Sequence, residues 1–146
     1  MRVNIEINNL TRRKIDPELV KKVVRKTVKL SGADAASFEL SVVFAGEAEM
    51  RKIYREYKGK NKSTDVLSFQ LDLGYNKKSR KNLSKNISGE IILCPAVIAK
   101  NARENEVSFS SELAFVLSHG TLHVLGWNHS RKMYELQDEA MMQIHE

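Results

Sequence analysis

Between Leu113 and Leu125 the chain reads Leu-Ala-Phe-Val-Leu-Ser-His-Gly-Thr-Leu-His-Val-Leu, apolar nearly all the way round a helical projection. A helix without a polar face must be enclosed on every side, so the rest of the chain has to be arranged around this one. The same segment carries a chemical constraint. Three of the four histidines lie between Ser118 and His129. His119 and His123, four residues apart, project from one helical face with their Cβ atoms about 5–6 Å apart. Gly126 takes a left-handed conformation cheaply and so stops the helix, which lets His129 turn back toward the pair. Three imidazoles around one small cation, with a fourth position left to water, is the arrangement of a catalytic zinc site; structural sites are closed by four protein ligands. His145 stands alone near the C-terminus and is given no ligand role.

The spacing His-x3-His-x2-Gly-x2-His is that of the metzincin proteases with one loss. Those enzymes place Glu directly after the first histidine as general base, and here that position is Gly120. A positioned proton shuttle is worth on the order of 10²–10⁴-fold. The cage is therefore kept while ordinary peptide hydrolysis is disfavoured.

Charge points to the class of partner. The 146 residues carry a formal charge of +6, and its distribution matters more than its total. Arg51, Lys52, Arg55, Lys58, Lys60 and Lys62 crowd one segment, and Lys77, Lys78, Arg80, Lys81 and Lys85 crowd another that has no acid among them. From Ser111 onward the balance turns acidic. A localised positive field is what an RNA or DNA footprint requires. No apolar run approaches the ~20 residues of a membrane span and the N-terminus lacks a signal-peptide pattern, so a cytoplasmic protein without membrane contact is expected. One cysteine, Cys94, fits a reducing compartment and reads as a small buried apolar residue.

Taken in order, residues 2–8 alternate apolar and polar as a half-buried strand does. Asp16-Pro17 opens a helix that Gly32 closes, with Val20, Val23, Val24, Thr27 and Val28 on its inner side. Residues 38–44 read as a second strand. Next comes a helix from Glu47 to the stop at Gly59, with Met50, Ile53, Tyr54 and Tyr57 as its buried stripe. Residues 64–69 form a third strand, 72–86 a mobile basic loop, and 88–93 a fourth strand. Pro95 opens a short helix to about Asn105, and Ser108 or Ser110 caps the histidine-bearing helix. Ser130 caps a last one with Met133, Leu136, Gln137, Met141 and Ile144 along one side. Interleaved strands and helices predict an α/β fold: a small mixed four-stranded sheet packed with about five helices around a central metal-bearing helix. Residues 1–146 are expected to form a single metal-dependent hydrolase domain.

Three stretches together resemble the YbeY family over nearly the whole chain. They are Tyr54-Arg55 ahead of Thr64-Asp65-Val66-Leu67-Ser68-Phe69, Ser88-Gly89-Glu90-Ile91 ahead of Cys94-Pro95, and the histidine segment itself. The resemblance implies a single-strand-acting, metal-dependent endoribonuclease in ribosomal RNA processing, at the 3′ end of 16S ribosomal RNA, and in ribosome biogenesis. It implies His119, His123 and His129 as ligands of one Zn²⁺ per chain, with Arg55 as a functional arginine facing a basic groove. The partners it implies are ribosomal RNA and, beyond it, ribosomal subunit proteins. Three departures stand out. Asn128 occupies a position where the family usually has Asp, Glu90 stands where Asp is common, and the basic 72–86 segment is long.

The residues fit phosphodiester chemistry. A metal on His119 and its partners polarises a phosphoryl oxygen and acidifies water, which lessens the need for a carboxylate base. The forked donors of Arg55 suit a nonbridging oxygen, and its bland alternative is a surface or structural ion pair. Asp65 or Ser68 can position substrate or water, or simply cap and pack. Glu112, seven residues before His119, lies about 10 Å up the helix axis and is too far to be a ligand. Trp127 can stack on a base or plug the core beside the helix stop. Two other functions stay open at this point: a metzincin-like metallohydrolase acting on another substrate, and a non-catalytic RNA-binding ribosome assembly factor.

Overall fold

A computed structural model describes residues 1–72 and 86–145. In chain order the elements are β1 (Arg2–Asn9), α1 (Pro17–Ser31), β2 (Ser37–Phe44), α2 (Glu47–Lys58), β3 (Val66–Asp72), β4 (Asn86–Leu93), α3 (Pro95–Glu104), α4 (Phe109–Val124) and α5 (Arg131–Ile144). The sheet runs β1-β2-β4-β3, with β1, β2 and β4 parallel and β3 antiparallel along one edge. The α/β fold with a mixed four-stranded sheet and five helices is the one expected from the sequence.

Local signals act where the sequence places them. The Asp16 carboxylate accepts the Glu18 N–H, Pro17 takes the first helical position, and Gly32 closes α1 at φ 69°. The five inner residues of α1 are all buried. Ser108 caps α4 by accepting the Ser111 N–H, and Ser130 caps α5 by accepting that of Met133.

The sheet separates two apolar clusters. Ile91 and Leu93 point to the face shared with α1 and α4, while Ile92 between them points to the other. Helix α2 covers that other face, with Met50 clustered with Leu67, Ile92 and Cys94, and Val97 of α3 packs against the same cluster. Cys94 is buried, as expected.

Helix α4 sits at the centre, touching α1, α3, α5, β3 and β4. Its buried hydroxyls are satisfied. Ser118 shares a 2.9 Å hydrogen bond with Thr27 of α1, and Thr121 donates to the Leu117 carbonyl at 2.7 Å. Two glycines let α4 approach the sheet. A Cβ on Gly120 would stand 2.9 Å from Ser68 Oγ and 3.3 Å from two carbons of Ile91. One on Gly89 would run into Val124 and lie 2.7 Å from the Phe69 carbonyl.

Several expectations need correction. Tyr57 is not part of a buried stripe: it is 65 % exposed, in the last turn of α2 beside the edge strand β3. Its ring instead packs on Phe69 of β3, 4.6 Å between centroids. Asp65 lies before β3 rather than in it, since the ladder with β4 starts at the Val66–Leu93 pair. Its carbonyl accepts the Cys94 N–H at 2.9 Å. The strands extend to Asp72 and back from Asn86, into the ends of the predicted basic loop; residues 73–85 lie outside the described residues. Trp127 is half-buried rather than a core plug, with the Lys132 ammonium 5.8 Å from its ring.

Gly89 gives a direct test of this packing. In Gly89→Ala the new methyl meets backbone as well as a side chain, so denaturant unfolding should show a loss of about 1–3 kcal/mol, in the range of core overpacking. Adding Val124→Ala should recover only part of it, because the Phe69 carbonyl stays in place.

Candidate metal centre

His119 and His123 leave α4 in its last two turns, and Gly126, at φ 98°, reverses the chain behind them. Such a backbone angle suits glycine. The turn carries His129 back over the helix end. The three Nε2 atoms then form a nearly equilateral triangle: 3.0 Å from His123 to His119, 3.0 Å from His123 to His129, and 3.1 Å from His119 to His129. These three side chains make up a metal-ligand set among the described residues. His145 is exposed beyond α5 and is not among them.

Tautomers decide what the triangle can hold. His123 Nδ1 faces the Trp127 carbonyl at 2.9 Å, and a carbonyl only accepts, so Nδ1 carries the proton. Gln137 Nε2 donates to the Phe115 carbonyl at 3.0 Å, which fixes the amide with Oε1 toward His119 Nδ1 at 3.3 Å. That nitrogen is therefore the protonated one too. Both rings turn a bare Nε2 lone pair into the triangle, where lone pairs repel unless a cation lies between them. A tetrahedral ion with metal–nitrogen bonds of about 2.0–2.1 Å needs about 3.3–3.4 Å between ligand nitrogens, close to the spacing found. The residues fit a divalent cation, and the exposure of His129 with the partial exposure of the other two leaves one side open to solvent.

Gln137 is the residue that sequence reasoning placed without recognising. It was assigned to the inner side of α5, and it is buried there at 1 % exposure. An amide in an apolar stripe beside Met133, Ala140 and Ile144 needs polar partners, and that mismatch was the available signal. Gln137 and the Trp127 carbonyl orient His119 and His123, while Asn128 is exposed.

The other candidate residues are placed less closely. Ser68 lies on β3 against Gly120, the residue next to His119. Gln70, two residues on, donates to the Val124 carbonyl at 2.8 Å and ties the edge strand to the end of α4. Arg55 is exposed on α2, which packs on the opposite face of the sheet from α4. Glu112 is buried in the first turn of α4, where Asn105 Nδ2 donates to it at 2.6 Å. No helix among the described residues is long and apolar enough to cross a membrane.

These features define an α/β protein with an open three-histidine cation site at the end of its central helix. The chain belongs to the YbeY family: the family profile described as Endoribonuclease YbeY matches residues 5–146. Relatives carrying that name include one from Petrotoga mobilis, 30 % identical with 99 % of this chain and 96 % of that one covered. Another, from Buchnera aphidicola, is 33 % identical over 92 % of this chain and 80 % of its own. The solution structure of TM1509 from Thermotoga maritima superposes with a TM-score of 0.61 at 25 % identity, over 97 % of this chain and 88 % of that one.

Two outcomes test the centre. Titration of metal-free protein should show one tight equivalent, which His123→Ala abolishes; Gln137→Leu should weaken it about 10–100-fold, as loss of an orienting partner does. The second concerns pH. Burial, and then the neighbouring His119 and His129 charges, lower the His123 pKa below its usual 6.5, although the Trp127 carbonyl opposes them. Below about that pH the unfolded chain binds a proton there that the folded chain resists, so metal-free protein should lose stability as pH falls. Thermal unfolding across this range should show a shallower pH slope in His123→Gln.

Proposed function

We propose that this chain is a metal-dependent endoribonuclease of one domain over residues 1–146, acting in the cytoplasm on single-stranded ribosomal RNA. The proposed site of action is the 3′ end of the 16S molecule during ribosome biogenesis. The observation that carries the hydrolase reading is the convergence of three Nε2 atoms, two of them with fixed lone pairs, on one point open to solvent. The name of the family and of its relatives supports RNA as substrate. The proposed ion is Zn²⁺, which three imidazoles and an open position suit. When bound it supplies Lewis-acid polarisation of a phosphoryl oxygen and a water acidified toward neutral pH.

The chain's own groups do the rest. His119, His123 and His129 fix the point of reaction, and Ser68 beside Gly120 offers a hydroxyl to an RNA oxygen. Arg55 grips a phosphate through its forked donors. Helix α2 lies on one face of edge strand β3 and α4 on the other, so RNA reaching both Arg55 and the histidines crosses the β3 edge. A flexible single strand can bend round a sheet edge where a duplex, stiff over such lengths, cannot. Basic residues 51–62 and 77–85 supply the attraction to phosphates, and ribosomal subunit proteins complete the expected set of partners.

Incubation with a 16S ribosomal RNA precursor should give a metal-dependent cut leaving 3′-hydroxyl and 5′-phosphate ends, absent with chelator or in His119→Ala. Arg55→Ala should lower kcat about a hundredfold, as removal of one charge-stabilising donor does, with metal content unchanged. Ends bearing 2′,3′-cyclic phosphate would instead mean attack by the RNA's own 2′-hydroxyl. RNA binding without any cut would return the chain to the class of assembly factors.

A further inference from the structure

Tyr134 is the one neutral aromatic on the outer side of α5, where the surrounding exposed positions are Arg131, Lys132, Glu135, Asp138 and Glu139. The residue is 48 % exposed. It stands beside two of the three candidate ligands, 6.1 Å from the His129 ring and 6.5 Å from that of His119, centroid to centroid. The Tyr134 and His129 planes differ by only 7°. The helix turn beneath is firmly held: Tyr134 N–H bonds to the Ser130 carbonyl at 3.1 Å, and the adjoining Met133 and nearby Gln137 are buried.

From this geometry we propose that Tyr134 is a nucleobase-stacking platform at the rim of the metal centre, taking the base of a nucleotide next to the scissile phosphate. The proposal rests on RNA being the substrate. A rigid, half-exposed ring loses little freedom when a flat partner lies on it, and every base has a π face, so such a platform is tolerant of sequence. Stacking of this kind is worth about 1–3 kcal/mol per base. It also selects by strandedness, because a base must leave its neighbours before its face can meet a side chain. The near-parallel His129 ring, 6.1 Å away, puts the platform beside the cation point, so the stacked base and its phosphate are set in one register. Supporting His129 alone would not call for a ring left half open to water; a packed aliphatic side chain would serve.

The test uses the metal-loaded protein and a single-stranded RNA carrying 2-aminopurine at successive positions. At one position next to the cleavage site the wild-type protein should quench the fluorescence, and Tyr134→Phe should do the same. Tyr134→Ala should lose the quench and bind about tenfold more weakly, with one metal per chain retained. An abasic nucleotide at that position should weaken wild-type binding by a similar factor and leave Tyr134→Ala unaffected. The proposal is overturned if Tyr134→Ala quenches and binds as wild type does, or if its loss follows loss of metal. It is equally overturned if Tyr134→Phe fails as badly, which would assign the role to the hydroxyl, or if the wild type binds no RNA. Quenching that depends on Tyr134 without any cleavage would sink the nuclease reading and leave the platform standing. Cleavage indifferent to Tyr134 would do the reverse.

Discussion

Helix α4 has no polar face to give to water, and enclosing it orders the layers around it. The sheet closes one side, and α1, α3 and α5 close the others. Each buried Leu or Val on such a helix contributes about 1.5–3 kcal/mol relative to exposure. Burial on this scale is possible only because the polar atoms inside are paired. The Thr27–Ser118 hydroxyl pair and the Thr121 bond to its own helix leave those groups satisfied. Gly89 and Gly120 then remove the two Cβ atoms that would hold α4 off the sheet. The last turns of α4 are thus seated against β3 and β4 at contact distance, and the first two histidines inherit that fixed position.

A fixed pair of imidazoles becomes a cation site only when its protons are placed. Two oxygens do this, the Trp127 carbonyl for His123 and the Gln137 amide for His119. Gln137 is held in turn by the Phe115 carbonyl, one turn up α4. The fold therefore spends a buried amide on the direction of one lone pair. The result is two lone pairs aimed at one point, which repel one another unless a cation lies between them, with His129 Nε2 at the third corner. A cation held by the three rings would also tie residues 125–130 to α4, which would couple metal affinity to local stability.

Much of this was legible in the residues. Asp16, Pro17 and Gly32 bound α1 by chemistry confined to a few neighbouring atoms, and the valine stripe needed only helical spacing. The three histidines were legible for the same reason, since i, i+4 geometry and a glycine stop are local. Tyr57 has the spacing of a buried stripe, yet it meets only the edge strand, at Phe69, and stays largely exposed. Periodicity reports which face points inward, not how far the partner surface extends. Gln137 was placed on the correct side of α5, but its bonds to residues 18 and 22 positions away depend on how α5 crosses α4. Arg55 was singled out by resemblance, and its position across the sheet follows from strand order, which no local pattern contains.

Gly120 joins the fold to the chemistry. In the metzincin pattern the residue after the first histidine is the glutamate base, so its replacement by glycine looks at first like a lost function. Here that position points at Ser68 and Ile91, where even a methyl group would be tight. A glutamate would have to displace the Ser68 and Ile91 side chains from beneath α4. The same close approach that seats the histidines therefore excludes a carboxylate base from the next residue. Peptide hydrolysis relies on such a base to move a proton onto a poor leaving group. Cleavage of a phosphodiester depends far more on charge stabilisation and positioning, which a cation held by the three histidines would supply without it. The steric demand of a central helix pressed on its sheet thereby favours phosphate chemistry over peptide chemistry at one and the same set of histidines.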